Sequence, residues 1–253
     1  MMKKILAKLY FQIIGKTATQ SNGVKLRYVL QKDNQSRELL VIFSAFPRAG
    51  MSSTYNYVNT LKEVSGNKLF ILDDFGYQKR GVYYLCERGS FGVRDAVEEL
   101  ITKVHLEVNA TQTTYIGSSK GGYAALYFGF RLGATNVISG APQYFVGEYL
   151  RAEPERMPTL TSMLDKISET NIQQLNNLLK KAISGKKAPT IYLHYSDKEH
   201  TYKSHIKPLL EQLTDEEIEV ERDIKQYVSH ADVRNYFPPY LLQVLAKIRG
   251  EVS

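Results

Sequence analysis

Cysteine and tryptophan are nearly missing from this chain, which has one cysteine and no tryptophan in 253 residues. A lone cysteine, Cys86, forms no internal disulfide, so a disulfide scaffold is excluded and a reducing, cytoplasmic compartment is favoured. We interpret Cys86 as a small buried hydrophobic residue. Apolar residues make up 43% of the chain, which is enough for a core and excludes a disordered or collagen-like protein.

The N-terminal stretch 1–14 lacks the length of a membrane span. It resembles a signal peptide, but Lys8 interrupts its apolar part and no small-residue cleavage site follows. Two interpretations stay open: an element packed on the body of the protein, or a basic amphipathic segment resting peripherally on the inner membrane surface. The sequence does not assign a role to residues 1–23.

Positive charge is in excess, because 33 lysine and arginine residues face 26 aspartate and glutamate residues, a formal net charge of +7. Such a balance suits anionic partners, including phosphorylated substrates and membrane surfaces. The chain has no RNA-binding signature and no zinc-ligand spacing, so neither a nucleic acid partner nor a metal is expected.

Short β-branched runs alternate with helical patterns along the chain. The predicted strands are 24–31, 39–43, 69–72, 113–116, 136–139, 190–195 and 218–228, and a helix is predicted at 57–64. Most strands are continuous apolar runs, typical of strands covered on both faces, whereas 24–31 alternates like an antiparallel edge strand. The pattern predicts one α/β domain over 1–253, with a mostly parallel central sheet and helices on both faces.

Between 143 and 187 the strand pattern stops and apolar residues recur at helical spacing. We interpret this segment as a helical lid inserted over the sheet; ordinary helices on the back of the sheet are the alternative.

The segment Gly117-Ser118-Ser119-Lys120-Gly121 carries the strongest functional signal. It matches G-x-S-x-G, follows a predicted strand and precedes a predicted helix, the context of a nucleophile elbow with Ser119 at its tip. A serine nucleophile needs a histidine base and an acid that orients the base.

On this fold the acid and the histidine follow the serine in that order, on loops after later strands. His230 lies between the last strand and the last helix and is the preferred base; His194, His200 and His205 are less well placed. Asp197 follows the preceding strand and is the preferred acid, with Glu199 as the close alternative.

An oxyanion hole needs two amide donors. Lys120 supplies one by its position after the nucleophile. The other is expected from Ala45 or Phe46, in the loop after strand 39–43.

Five motifs occur in an order that resembles a known family: Phe43-Ser44-Ala45-Phe46-Pro47, Tyr55-Asn56-Tyr57, Arg80-Gly81-Val82-Tyr83-Tyr84, the elbow through Gly122, and Ala141-Pro142-Gln143. They resemble the bacterial capsular-polysaccharide O-acetyltransferases with an α/β-hydrolase fold. The resemblance covers about 40–145 and resumes at Asp197 and His230. It implies that a serine takes an acetyl group from acetyl-CoA and passes it to a sugar hydroxyl of a capsule or surface polysaccharide, and that Ser119, Asp197 and His230 form the triad.

The substrate residues expected beside this triad are aromatic and basic. Tyr83 and Tyr84 would offer flat apolar faces to sugars in a cleft wall. Lys79 and Arg80 would hold CoA phosphates or polymer phosphodiesters, unless they are only solvated surface charge.

Two alternative functions stay open. A carboxylesterase or deacetylase would use the same triad with water as the acceptor. A non-catalytic hydrolase-fold partner in surface-glycan export would need none of the three residues.

Overall fold

The structure is a computed structural model and describes residues 15–48 and 50–251. Its centre is an eight-stranded sheet in the order β1-β2-β4-β3-β5-β6-β7-β8. The strands are β1 (Lys16–Thr19), β2 (Lys25–Gln31), β3 (Glu38–Phe43), β4 (Asn67–Leu72), β5 (Gln112–Ser118), β6 (Asn136–Gly140), β7 (Thr190–Ser196) and β8 (Val220–Lys225). Only the β1–β2 and β2–β4 pairs are antiparallel, and the other five pairs are parallel.

Helices cover both faces of this sheet. They are α1 (Gly92–Glu107), α2 (Lys120–Leu132), α3 (Val146–Arg151), α4 (Met157–Met163), α5 (Glu169–Ile183), α6 (Lys207–Asp215) and α7 (Val233–Ile248). One face carries the larger core, built with α1, α2, α5 and α6. The opposite face carries a smaller core in which α7 packs with Phe237, Leu241 and Leu245. The mostly parallel α/β architecture predicted from the sequence is therefore confirmed.

The central strands are buried from end to end, as their apolar runs predict. Every residue of β4 and of β6 is buried. Helix α1, in contrast, is buried along one side only. Its buried stripe includes Val97, Leu100 and Val104, and its outer side is polar. Cys86 is fully buried, and burial raises the pKa of its thiol to about 12. The interpretation of Cys86 as a core residue is confirmed.

Two local predictions are wrong. Segment 57–64 forms a series of turns instead of a helix, because Tyr57 has a φ of 60° and its neighbours bond over short spans. Segment 24–31 is not the edge of the sheet, since β1 pairs along its outer side.

The segment 143–187 contains α3, α4 and α5 and packs on the sheet side that carries α2. Leu160, Met163 and Leu175 are buried in the larger core. The amides of Arg88 and Gly89 donate to the carbonyls of Ser162 and Met163 at 2.9 and 2.8 Å, which ties α4 to the loop before α1. Whether the segment acts as a lid stays a prediction.

Among the described helices, none combines the length and the apolar character needed to cross a bilayer. The N-terminal stretch 1–14, for which a membrane-surface role was considered, lies outside the described residues.

Candidate active site

Ser119 is the single residue between the end of β5 and the start of α2. Its backbone has φ 53° and ψ −122°, a strained conformation for a residue with a side chain. The turn is close enough that a Cβ at Gly117 would overlap the carbonyl of Gly121, and a Cβ at Gly121 would lie 2.6 Å from the carbonyl oxygen of Phe43. Both glycines of the motif are therefore required by close backbone approach. The geometry is that of a nucleophile elbow.

His230 lies directly against the serine. Its Nε2 is 2.8 Å from the Oγ of Ser119. The histidine begins a short 3₁₀ turn between β8 and α7, where the Ser229 hydroxyl caps the turn by accepting from the amide of Ala231. The structure thus brings together the serine and the histidine that the sequence singled out.

The acid beside His230 is Glu199, and the prediction of Asp197 is wrong. The Nδ1 of His230 is 2.5 Å from Oε1 of Glu199, whose side chain is almost fully buried. Asp197 is partly exposed and accepts instead from the Nε2 of Gln226, at 2.9 Å. After β7 the chain makes a turn, marked by the Lys198 amide donating to the Ser196 hydroxyl, and this turn directs Asp197 outward and returns Glu199 to the site.

Glu199 is held as a carboxylate. Burial raises its pKa, but the hydrogen bonds from His230 and from the hydroxyl of Thr201 outweigh burial, so the net pKa is lowered. Thr201 donates to the same oxygen, Oε1, that faces His230. An ionised, hydrogen-bonded carboxylate in this place fixes the orientation of the imidazole.

The other three histidines that follow Ser119 in the sequence have different surroundings. His194 is buried in β7 with its Nδ1 2.6 Å from Asp223, and burial lowers its pKa. His205 accepts from the amide of Phe145, and burial lowers its pKa to about 4. His200 is exposed.

Of the three backbone amides expected as oxyanion donors, two stay candidates. The amide of Ala45 donates to the side chain of Asn56 at 2.9 Å, so it is already committed. Phe46 is then the candidate from this loop. Lys120 is the first residue of α2, where an amide needs no partner within the helix, and it keeps its expected place beside the nucleophile.

The side chain of Lys120 has a separate structural role. It is fully buried, and its Nζ lies 2.7 Å from Oδ2 of Asp73, which is fully buried too. Asp73 also accepts from the amides of Val82 and Tyr84. Burial lowers the pKa of Lys120, against the opposing effect of Asp73. This pair ties the start of α2 to the end of β4 and to the loop 80–85, so this lysine does not bind an anionic ligand.

Tyr83 and Tyr84 do not form a cleft wall, because both are fully buried. Each has a positive φ. The Tyr84 hydroxyl accepts from the Ser44 amide at 2.6 Å and donates to the carbonyl of Ile71 at 2.9 Å. The sequence pattern did not distinguish tyrosines that face a sugar from tyrosines that support the site from within.

Lys79 and Arg80 differ in their surroundings. Lys79 is exposed, whereas Arg80 is about nine-tenths buried with its guanidinium 4.8 Å from the centre of the Phe46 ring. Two long hydrogen bonds of Arg80, both 3.5 Å, go to the neutral carbonyls of Pro47 and Glu155. Its Nε has no partner among the described residues. Arg80 therefore places a weakly compensated positive charge against Phe46, in the loop after β3.

Gln143 also contacts the nucleophile, although the sequence assigned it no role. It is fully buried just after β6, and its Nε2 donates to Ser119 Oγ at 3.0 Å and lies 3.4 Å from His230 Nε2. It belongs to one of the motifs shared with the capsule family. A polar residue just past the end of the strand next to β5 was the signal that could have identified it.

In the part of the chain that the structure describes, no three or more histidine, cysteine, aspartate or glutamate side chains lie together in a way that could hold a metal ion.

Comparison with known proteins places the fold. No protein-family model matches the sequence, and no curated protein matches it. The capsule O-acetyltransferase of Neisseria meningitidis serogroup A is a structural match at 18% identity and a TM-score of 0.72, covering 92% of this chain and 98% of that one. A histidine-to-alanine variant of that enzyme in complex with CoA matches with a TM-score of 0.71, also at 18% identity, over 92% of this chain and 99% of that one.

Two further solved structures share the fold. A glycosylation-associated protein complex from Streptococcus agalactiae gives a TM-score of 0.75 at 18% identity, over 92% of this chain and 46% of that one. Fluorophosphonate-binding serine hydrolase F of Staphylococcus aureus gives 0.67 at 12% identity, over 91% and 96%. These similarities establish an α/β-hydrolase fold, and the first belongs to the family whose motifs the sequence resembles.

Proposed function

We propose that the protein is an O-acetyltransferase that moves an acetyl group from acetyl-CoA to a sugar hydroxyl of a bacterial capsular or surface polysaccharide. The observation that carries the proposal is the hydrogen-bonded series Ser119–His230–Glu199 at a strained elbow. The choice of donor and acceptor rests on the motifs shared with the capsule O-acetyltransferases and on the similarity to one that binds CoA.

The first half of the reaction acylates the serine. Ser119 Oγ attacks the thioester carbonyl carbon while its proton passes to Nε2 of His230. The amides of Lys120 and Phe46 receive the developing negative charge. When the intermediate collapses, the carbon–sulfur bond breaks and the CoA sulfur takes the proton from His230.

The second half passes the acetyl group on. A sugar hydroxyl gives its proton to His230 Nε2 and attacks the acetyl carbon, and Ser119 leaves with that proton. Water competes for the same acyl-enzyme, so transfer depends on holding the sugar hydroxyl in place, where positioning raises its effective concentration. Glu199 stabilises the imidazolium in both halves.

Arg80 is the better candidate of the two cations for an anionic group of the substrate. It sits on Phe46 of the oxyanion loop, and its hydrogen bonds go to neutral carbonyls, which leaves its charge available. A CoA phosphate or a phosphodiester of the acceptor would complete its environment. Lys79 is exposed and would add to the surrounding positive field.

Hydrolysis by the same three residues is the second candidate, an esterase or deacetylase. It is favoured by the likeness to a serine hydrolase. The two functions differ only in what accepts the acetyl group.

The test follows the acetyl group from donor to acceptor. The protein is mixed with acetyl-CoA, and intact-mass analysis with peptide mapping is expected to show one acetyl group on Ser119. Ser119→Ala is expected to lose turnover by roughly 10⁴-fold or more. Ser118→Ala is the matched control, because Ser118 lies in the same elbow but bonds to the Tyr57 hydroxyl at 2.5 Å.

The acceptor is then identified by adding purified capsular polysaccharides and recording NMR spectra of the products. Acetylated polymer supports the transferase. Free acetate with no acetylated polymer would favour the esterase, and acetyl-CoA that never labels Ser119 would remove acetyl-CoA as the donor.

A further inference from the structure

Gln143 occupies a place where a hydrogen-bond donor meets the reacting oxygen. Its side chain is fully buried, and its Nε2 and the Nε2 of His230 are 3.4 Å apart. Ser119 Oγ sits between them, 3.0 Å from the glutamine and 2.8 Å from the histidine. A single oxygen at this point can accept from the amide and donate to the imidazole at once.

The orientation of the Gln143 amide is fixed by two neighbours. The hydroxyl of Tyr83 donates to its Oε1 at 3.3 Å. The carbonyl of Ala141 lies 3.5 Å from its Nε2, on a side where an amide oxygen would be repelled. The NH₂ group therefore faces Ser119.

The carboxylate of Glu199 sets the direction of every proton in the series. A carboxylate can only accept, so Nδ1 of His230 carries the hydrogen and donates to Oε1 of Glu199. In the neutral imidazole Nε2 is then the acceptor, and the hydroxyl hydrogen of Ser119 points to it while Ser119 Oγ accepts from Gln143. Tyr83, Gln143, Ser119, His230 and Glu199 form one directed chain of hydrogen bonds.

We infer that Gln143 is a catalytic residue that presents its N–H to whichever oxygen is being deprotonated by His230: Ser119 Oγ in the first half-reaction and the acceptor hydroxyl in the second. After acylation, Ser119 Oγ is an ester oxygen and a poor acceptor, which frees the Gln143 amide. An incoming hydroxyl that donates to His230 can then accept from Gln143. This role rests on the proposed function and adds the residue that selects and orients the attacking oxygen.

No new bond type is involved. The acceptor oxygen forms its bond to the acetyl carbon, its proton moves to His230 Nε2, and the bond from that carbon to Ser119 Oγ breaks with return of the proton to Oγ. Gln143 keeps both of its hydrogens throughout.

Three substitutions separate the direction of the hydrogen bond from packing. Gln143→Met keeps the volume and removes the donor. Gln143→Glu keeps the shape but turns the donor into an acceptor, so that it competes with His230 for the hydroxyl hydrogen of Ser119. Tyr83→Phe removes the group that fixes the amide. The matched control is Gln212→Met, since Gln212 is another buried glutamine that accepts from a tyrosine, Tyr144, and donates to the Lys180 carbonyl at 2.9 Å.

The two half-reactions are measured separately. The burst of nitrophenol from p-nitrophenyl acetate gives the acylation rate. The decay of the isolated acetyl-enzyme, followed by intact mass with methanol as the probe alcohol, gives the deacylation rate. Both are rates per active site and do not depend on how much protein is folded.

Gln143→Met is expected to slow both steps by about tenfold, the effect of one lost hydrogen bond. Gln143→Glu is expected to slow acylation more than Gln143→Met does, Tyr83→Phe less, and Gln212→Met is expected to change neither rate by more than about twofold. Unchanged rates in Gln143→Met would overturn the inference, and slower acylation with normal deacylation would overturn its acceptor half. A starting protein in which Ser119 never becomes acetylated would instead overturn the proposed function.

Discussion

Glu199 and Asp197 are two residues apart, yet only Glu199 reaches His230. We expect Glu199→Gln to lower kcat by roughly 10³–10⁴-fold, because an amide cannot stabilise the imidazolium and favours the wrong tautomer. Asp197→Asn is the matched control and is expected to stay within about twofold of the parent. Steady-state kinetics with acetyl-CoA or p-nitrophenyl acetate measure both. A loss in Asp197→Asn as large as that in Glu199→Gln would reject the assignment.

At Gly81, a single added carbon atom is expected to change the stability of the protein. Its φ is 102°, and a Cβ there would overlap the ammonium of Lys120 and the carboxylate of Asp73. We expect Gly81→Ala to lower the free energy of unfolding by about 3–5 kcal/mol, since it forces apart a buried ion pair. Urea denaturation measures the change.

Gly133 provides the control for Gly81. It also has a positive φ, 66°, but nothing lies within 4 Å of the position of a Cβ. Gly133→Ala is expected to lower the free energy of unfolding by only about 1–2 kcal/mol, the cost of the left-handed backbone. Equal effects at the two glycines would show that backbone strain alone matters at Gly81.

At the scale of single residues, the sequence predicted the position of the nucleophile better than it predicted which side chains contact the nucleophile and the base. Ser119 was identifiable because a strand, two glycines and a helix constrain it from both sides. The acid was not, because the turn after β7 decides which of two nearby carboxylates faces inward. Gln143 was missed because a lone glutamine has no pattern, and its role depends on contacts with Tyr83, Ser119 and His230.

At the scale of elements, the helical segment 143–187 is expected to control which acceptor reaches the acyl-enzyme. The side chains of Leu164 and Leu175 are buried on the inner side of this segment. Replacing both with alanine is expected to raise the ratio of free acetate to acetylated polymer by several-fold, because a loosened cover admits water. Parallel assays of acetate and of acetylated polymer give this ratio.

The control for this prediction is a leucine of similar burial outside the segment, Leu100 in α1. Leu100→Ala should lower the free energy of unfolding by about 2–5 kcal/mol, as each leucine substitution in the segment should, without changing the ratio. A ratio that stays constant in all variants would make the segment purely structural.

The central strands β3, β4 and β6 were predictable because they lie between two layers of helices and are buried along nearly their whole length. The short strand β1 was not, since its residues Lys16–Thr19 are largely exposed and carry no hydrophobic pattern. The failed helix at 57–64 has the same origin. Tyr57 has a positive φ, and its hydroxyl shares a hydrogen bond with the hydroxyl of Ser118 in the neighbouring elbow. Local propensity does not record such a contact.

For the whole molecule, the net charge of +7 predicts a salt-dependent reaction with charged substrates. We expect the KM for acetyl-CoA to rise several-fold between about 0.01 M and about 0.15 M ionic strength, as the Debye length falls from about 30 to about 8 Å. The neutral donor p-nitrophenyl acetate is the control and should show no such change. A KM for acetyl-CoA that does not depend on salt would remove Arg80 and Lys79 from substrate binding.

Lys120 joins the rest of the molecule at two chemically separate points. Its ammonium is held in the buried pair with Asp73, while its peptide nitrogen opens a helix beside Ser119. Every side-chain replacement except proline leaves that nitrogen and its hydrogen in place. Alanine scanning at this position therefore reports on folding and is silent on the developing oxyanion. Only a main-chain edit, such as an ester in place of the peptide bond installed by chemical ligation, would isolate the contribution of the amide.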